Sequence, residues 1–227
     1  MNERVFPDAA ALHAAAADYI LESARAVIAA RGVFRLVLAG GDTPRAVYAR
    51  LAVARADWKQ WQVYFGDERC LPPGDARRND RMARAAWLDR VSIPQANVHP
   101  IPAELGAETA AARYAEVLAA VGDFDLVLLG LGEDGHTASL FPGQPAGAQT
   151  GSADVLAVHA APKPPPERVT LSAARLSRTR KAWFLVTGAG KRAAMAAWRE
   201  GRDIPARHIA PPGGVEVWLD ASAAIEA

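Results

Sequence analysis

Four short runs rich in apolar residues each stop at a glycine-bearing turn. Phe34 to Leu38 leads into Ala39-Gly-Gly-Asp-Thr-Pro44, and Gln62 to Phe65 into Gly66-Asp-Glu-Arg69. Leu126 to Leu129 leads into Gly130-Leu-Gly-Glu-Asp-Gly-His136, and Trp183 to Val186 into Thr187-Gly-Ala-Gly-Lys191. Such runs suit strands covered on both faces, as in a parallel sheet. Helix-patterned stretches alternate with them from end to end. That alternation predicts an α/β fold: one mainly parallel, Rossmann-like sheet with helices on both faces. A chain of 227 residues is within the range of one large domain, and no break in composition divides it. Residues 1–227 are therefore expected to form a single domain.

Local signals place the other elements. Asp8 is a natural N-cap for a helix in which Leu12, Ala16, Ile20, Ala24 and Val27 recur at helical spacing, and Gly32 suits its end. Thr43 is expected to cap the next helix, with Pro44 in its first turn. Helices are also predicted from Asn79 to about Arg90, from Glu108 to Val121, from Ser172 to Leu176, and around Met195 and Trp198. Strands are expected near Val98, at Val155 to His159, at Val169 to Leu171 and at Val215 to Leu219. Arg77, Arg78, Arg81 and Arg84 read as a solvated helix face, and His13 and His99 as structural. Gln144 to Ala153, rich in Gly, Ala and Pro, has few anchors and is the segment expected to move.

Composition narrows the function. A formal net charge of +1 gives no case for bulk attraction to nucleic acid or a membrane. Cys70 is the only cysteine, so a disulfide framework and a cysteine-based metal site are excluded within one chain. A lone thiol fits a reducing cytoplasm. The N-terminal residues lack the apolar core of a signal peptide, and no stretch approaches the roughly 20 apolar residues of a membrane span.

Gly130 to Gly135 is a literal G-x-G-x-x-G. A dinucleotide site also needs a long helix opening from that loop. Pro142, Gly143 and Pro145 follow too soon for one, so the loop reads as a catalytic loop. The turns after Leu38 and Val186 have the form of anion sites, where free N–H groups and a helix dipole converge. Asp42 must then point away from the anion, or the site is elsewhere. Functional groups collect after four strands: Gly40, Gly41 and Thr43; Asp67 and Arg69; Asp134 and His136; Arg168 and Lys191. In one parallel sheet these ends can all face one cleft. The cations suit an anionic ligand such as a phosphate, and the acids and the histidine suit proton transfer. No metal-ligand spacing and no G-x-S-x-G elbow is present.

These motifs resemble those of the 6-phosphogluconolactonases, within the larger group that includes glucosamine-6-phosphate deaminases. The resemblance runs nearly the length of the chain. It rests on Gly40-Gly-Asp-Thr-Pro44, Phe65-Gly-Asp-Glu-Arg69 with Asn79 downstream, the intact Gly130 to Pro142 segment, Lys163 to Leu171, and Gly188 to Lys191. Asp42 stands where serine is common. The resemblance implies a single catalytic domain that hydrolyses a phosphosugar lactone, 6-phospho-D-glucono-1,5-lactone, with no cofactor and no metal. From the charge and the lone thiol, a cytoplasmic protein without a nucleic-acid or membrane partner is expected, as a monomer or small homo-oligomer. His136 would be the base, oriented by Asp134 or a backbone carbonyl. Arg69 or loop N–H groups would stabilise the oxyanion, and Asp67 would either act in proton transfer or position Arg69. Arg168 and Lys191, with Gly40, Gly41, Thr43 and Asn79, would hold the substrate and its phosphate. A deaminase or sugar-phosphate isomerase on the same fold, or a non-catalytic sugar-phosphate sensor, are the alternatives. Thr137-Ala-Ser-Leu-Phe-Pro142 after His136 favours the lactonase.

Overall fold

The computed structural model describes residues 1–225. In chain order its elements are β1 (Asn2–Phe6), α1 (Ala9–Arg31), β2 (Phe34–Leu38), α2 (Asp42–Leu51), β3 (Trp61–Phe65), β4 (Asp67–Arg69), α3 (Asn79–Ala86) and β5 (Val98–His99). There follow α4 (Ala107–Leu118), β6 (Leu126–Leu129), β7 (Val155–Val158), β8 (Arg168–Leu171), α5 (Ala173–Ser177), β9 (Ala182–Val186), α6 (Arg192–Arg199) and β10 (Val215–Asp220). Seven strands form one sheet in the order β1-β10-β9-β6-β2-β3-β5, and every pairing in it is parallel. The expected α/β architecture is therefore the one observed. α1 and α2 pack side by side, and the right-handed rule for parallel crossovers assigns them to one face and α4 and α6 to the other.

The central strands are apolar because both their faces are covered: β6 is buried at all four positions and β9 at all five. Trp61, Trp87, Trp183 and Trp218 are fully enclosed in the core. Asp8 caps α1 by accepting the Ala11 N–H at 2.8 Å, and Gly32 closes the helix at φ 78°, as the residue types predict. His99 stacks on Tyr64 and bonds Gln62 at 2.7 Å, and His13 sits half-buried on α1. Neither lines the main cleft.

Several expectations need correction. No element is expected before Asp8, yet Asn2–Phe6 pairs with β10. The Gly66 to Arg69 stretch is not a loop. Its last three residues form β4, which joins β8 and β7 in a separate antiparallel sheet of three strands. Asp67, Arg69 and Arg168 thus sit on this small sheet and not at the carboxyl ends of the large one. The helix from Asn79 ends at Ala86, and a 3-10 turn covers Leu88–Arg90. Within the Gln144 to Ala153 stretch, the Ala146 and Gly147 carbonyls accept the N–H groups of Ala173 and Ala174 at the start of α5, which ties down its first half. Among the described residues no helix is long and apolar enough to cross a membrane.

Candidate active site

After β2 the chain steps outward through β3 to β5. It then returns to β6 on the other side of β2 and steps away through β9 and β10. The order therefore reverses between β2 and β6, and a ligand crevice is expected beyond their carboxyl ends. A cleft of about 520 Å³ opens there. Gly40, Gly41, Thr43, Asp67, Arg69, His136, Arg168 and Lys191 line it. Asn79 and Asp134 do not; each supports a lining residue from behind.

His136 is held in one orientation. Its ring Nδ1 lies 2.5 Å from Asp134 Oδ1, and the same oxygen accepts the His136 backbone N–H at 3.1 Å. The backbone folds tightly enough for the Gly132 N–H to reach the His136 carbonyl at 2.7 Å. A side chain at 132 is impossible without displacement, because its Cβ would lie 1.9 Å from His136 Nδ1. With Nδ1–H donated to the carboxylate, the lone pair is on Nε2, and the ring lines the cleft. Burial pushes the Asp134 carboxyl up, but the hydrogen bonds from His136 outweigh it and leave the carboxyl below its ordinary range.

A buried polar network forms the back wall. Asp67 accepts the Ser139 hydroxyl at 2.7 Å and the Asn79 amide at 3.1 Å, and the same amide donates to the Asp67 carbonyl at 2.9 Å. Asn79 also abuts Gly40, where a Cβ would meet its Oδ1 at 2.1 Å. The backbone at Gly40 can approach so closely only because there is no side chain. Glu68, fully enclosed, accepts the N–H groups of Arg69, Asn79 and Asp80 at 2.7–2.8 Å, tying β4 to the start of α3. Arg78 is not on a solvated face. It is buried, bonds Asp80 at 2.9 Å and Glu104 at 2.8 Å, and donates to the Leu71 and Ile101 carbonyls. Spacing alone could not separate it from its exposed neighbours. Nor does Asp67 bond to Arg69. The Arg69 guanidinium reaches the Arg77 carbonyl, and its Nε is buried without a partner among the described residues.

The opposite wall is cationic. Arg69 and Arg168 stand directly opposite each other on β4 and β8. Like charges so placed repel, an arrangement an anion between them would relieve. Arg168 also holds the Lys163 and Pro165 carbonyls at 2.9 and 3.1 Å, which brings Lys163 to the cleft. Burial lowers the Lys191 and Arg168 pKa values; the Lys163 ammonium also depresses Lys191 and Arg69 depresses Arg168. Lys163 opens the Lys163 to Leu171 motif, but its place before three prolines gives no local sign that it reaches the cleft. Thr43 is not an N-cap. Gly41 holds that position at φ 106°, and the Thr43 hydroxyl meets the Thr187 hydroxyl at 2.6 Å, joining the turns after β2 and β9 across the end of β6. Tyr48 from α2 accepts the Ala39 N–H at 3.0 Å and donates to the Ala39 carbonyl at 2.9 Å, fixing the turn after β2. Asp42 points outward and pairs with Arg45 at 2.9 Å, leaving the start of α2 open to an anion.

Among the described residues no cluster of three or more His, Cys, Asp or Glu side chains is arranged to hold a metal. The arrangement offers an oriented imidazole at one wall and several cations with a helix N-terminus at another. It suits proton transfer on a substrate that carries a separate anionic group.

Comparison with known proteins agrees with this geometry. The family model described as glucosamine-6-phosphate isomerases/6-phosphogluconolactonase matches residues 7–218. A 6-phosphogluconolactonase of Mycobacterium tuberculosis is 40% identical over 213 residues, covering 88% of this chain and 86% of that one. One from a Synechocystis species is 40% identical over 205 residues, covering 85% and 83%. The solved 6-phosphogluconolactonase of Trypanosoma brucei superposes with a TM-score of 0.88 at 30% identity, covering 98% of this chain and 97% of its own. The chain belongs to the family of glucosamine-6-phosphate isomerases and 6-phosphogluconolactonases.

Proposed function

We propose that this protein hydrolyses 6-phospho-D-glucono-1,5-lactone to 6-phospho-D-gluconate, the second step of the oxidative pentose phosphate pathway. The curated relatives named 6-phosphogluconolactonase support the activity. The observation that carries the mechanism is the His136–Asp134 hydrogen bond, which leaves Nε2 as the free base in a cleft with a cationic wall. We place the enzyme in the cytoplasm, in keeping with Cys70 as a free thiol.

His136 Nε2 takes a proton from a water, whose oxygen attacks C1 of the lactone. Asp134 stabilises the imidazolium that forms. The carbonyl oxygen becomes an oxyanion, met by the Arg69 guanidinium at the wall of the cleft. The bond between C1 and the ring oxygen then breaks, and His136 returns the proton to that oxygen. The new carboxylic acid loses its own proton to solvent. Lys191, Arg168, Lys163 and the N–H groups from Gly41 to Thr43 hold the phosphate, which places C1 beside His136. Asp67, with Asn79 and Ser139, fixes the wall facing the sugar ring. Gly40 provides the close backbone surface beside it.

Acid release from freshly generated lactone, at a pH low enough to slow spontaneous hydrolysis, tests this reading. Glucosamine 6-phosphate is run in parallel with ammonia as the readout. His136→Ala should lower kcat by about 10²–10⁴-fold, the usual share of general-base catalysis. Wild-type acid release in that variant would remove His136 as the base, and ammonia in place of acid would make this a deaminase.

A further inference from the structure

The turn after β9 carries Lys191 into the cleft, and a carboxylate from another strand grips that turn from behind. Asp220 is the last residue of β10 and is only 5% exposed. Its Oδ1 accepts the backbone N–H of Gly188 at 3.0 Å and of Ala223 at 2.9 Å, and its Oδ2 accepts the Ser222 hydroxyl at 2.8 Å. Because β10 runs parallel to β9, its carboxyl end lies beside the Gly188 turn. Gly188 has φ 94°, and a 3-10 turn over Ala189–Lys191 starts there, closed by the Lys191 N–H on the Gly188 carbonyl at 3.1 Å. On its other side the turn is tied by Thr187 to Thr43. The segment after Asp220 also reaches the start of α6, where Arg192 Nε donates to the Ser222 carbonyl at 2.8 Å.

A glycine at positive φ has many alternatives, so something must select the one in use. The Gly188 N–H does this by bonding a carboxylate that is itself immobilised by two further donors. A buried carboxylate is retained only where such donors satisfy it. We infer that Asp220 is a positioning residue for Lys191: it fixes the Gly188 turn and so aims the ammonium at the substrate's phosphate. This rests on the assignment of Lys191 to the phosphate made above. Asp220 lies outside the cleft and touches no substrate.

The test compares Asp220→Ala, Asp220→Asn and Lys191→Ala in steady-state kinetics on 6-phosphogluconolactone, with inorganic phosphate as a competitive inhibitor. Asp220→Ala should raise KM about tenfold, a loss of about 1.4 kcal/mol in binding. The inhibition constant of phosphate should rise by a similar factor, and any fall in kcat should be no larger than that in Lys191→Ala. Asp220→Asn should restore KM, because its amide oxygen can accept the same two N–H groups and the Ser222 hydroxyl can turn to accept from Nδ2. A role in stability alone would lower the active fraction, and so kcat, with KM and phosphate inhibition unchanged; that result overturns the inference. So does an Asn variant as impaired in KM as the Ala variant. If Asp220→Ala does not fold, Asp220→Glu gives the same readout: it keeps the charge and shifts the oxygens by one methylene, and an unchanged KM overturns the inference. Lys191→Ala separates the two layers. No change in KM or phosphate inhibition there removes the phosphate assignment itself. A Lys191 defect without an Asp220 defect removes only the role of Asp220.

Discussion

Gly132 is where the His136–Asp134 pair is most vulnerable. A methyl group there would lie 1.9 Å from His136 Nδ1 and 2.6 Å from Asp134 Oδ1, so the two side chains would have to separate. Both side chains are partly exposed and neither belongs to the apolar core. Gly132→Ala should therefore cost at least about 10²-fold in kcat, comparable to losing an aligned general base, with the melting temperature shifted by only a few degrees. Parallel kinetics and thermal melts check this, and a variant with wild-type kcat would show that the pair need not be in contact. At this scale the residues lining the cleft were largely legible, since Gly, Asp, Arg, His and Lys after buried strands mark exposed polar ends. Partners were not legible. Arg78 and Arg81 are the same residue type three positions apart around the start of one helix, and only the fold decides that the first is enclosed by Asp80 and Glu104. Thr43 looked like a cap because it precedes a proline, but Thr187, distant in sequence, claims its hydroxyl.

Among the elements, the loop between β7 and β8 carries Lys163 and is clipped at its neck by His159. His159 Nε2 lies 2.8 Å from Glu108 on α4, and Nδ1 lies 2.9 Å from Glu167 just before β8. Hydrogen bonds to Glu108 and then Glu167 favour the imidazolium and raise its pKa. The stability from this clip is full below the ordinary histidine pKa and fades as pH climbs through the raised value. The melting temperature of the wild type should thus fall slightly from about pH 6 to about pH 8, the range around an ordinary histidine pKa and above it. His159→Gln should flatten that slope, and an identical slope in both proteins would sink the assignment. The small antiparallel sheet was the element-scale feature that the sequence concealed. Asp67–Arg69 reads as three charges in a turn, because the face it buries is a polar network and leaves no apolar alternation. Asn2–Phe6 was hidden for a related reason. It is an edge strand buried only at Phe6, so periodicity gives no signal.

For the molecule as a whole, the parallel character of the large sheet followed from alternation and crossover rules, whereas its strand order and the docking of the small sheet onto it did not. The two share one core: Val169 and Leu171 of β8 belong to the same apolar cluster as the strands of the large sheet. We expect the chain to unfold as one unit. Loss of activity, which reports the cleft, and of tryptophan fluorescence, which reports Trp61 and Trp87 on one side and Trp183 and Trp218 on the other, should coincide along a urea titration. Activity lost at clearly lower urea would make the small sheet a separate cooperative unit.

The pairing of β1 with β10 has a consequence for how the protein is made. Asn2–Phe6 leaves the ribosome long before Val215–Asp220 exists, and it is with that late strand that it pairs. Throughout synthesis the first strand waits with its backbone unclaimed, open to neighbouring nascent chains. Its sequence suits the wait, because Glu3 and Arg4 put opposite charges in the middle of the strand and make it a poor template for stacking. The last strand also ends in Asp220, which grips the Lys191 turn. Closing the sheet edge and fixing the Lys191 turn thus both wait on the same strand.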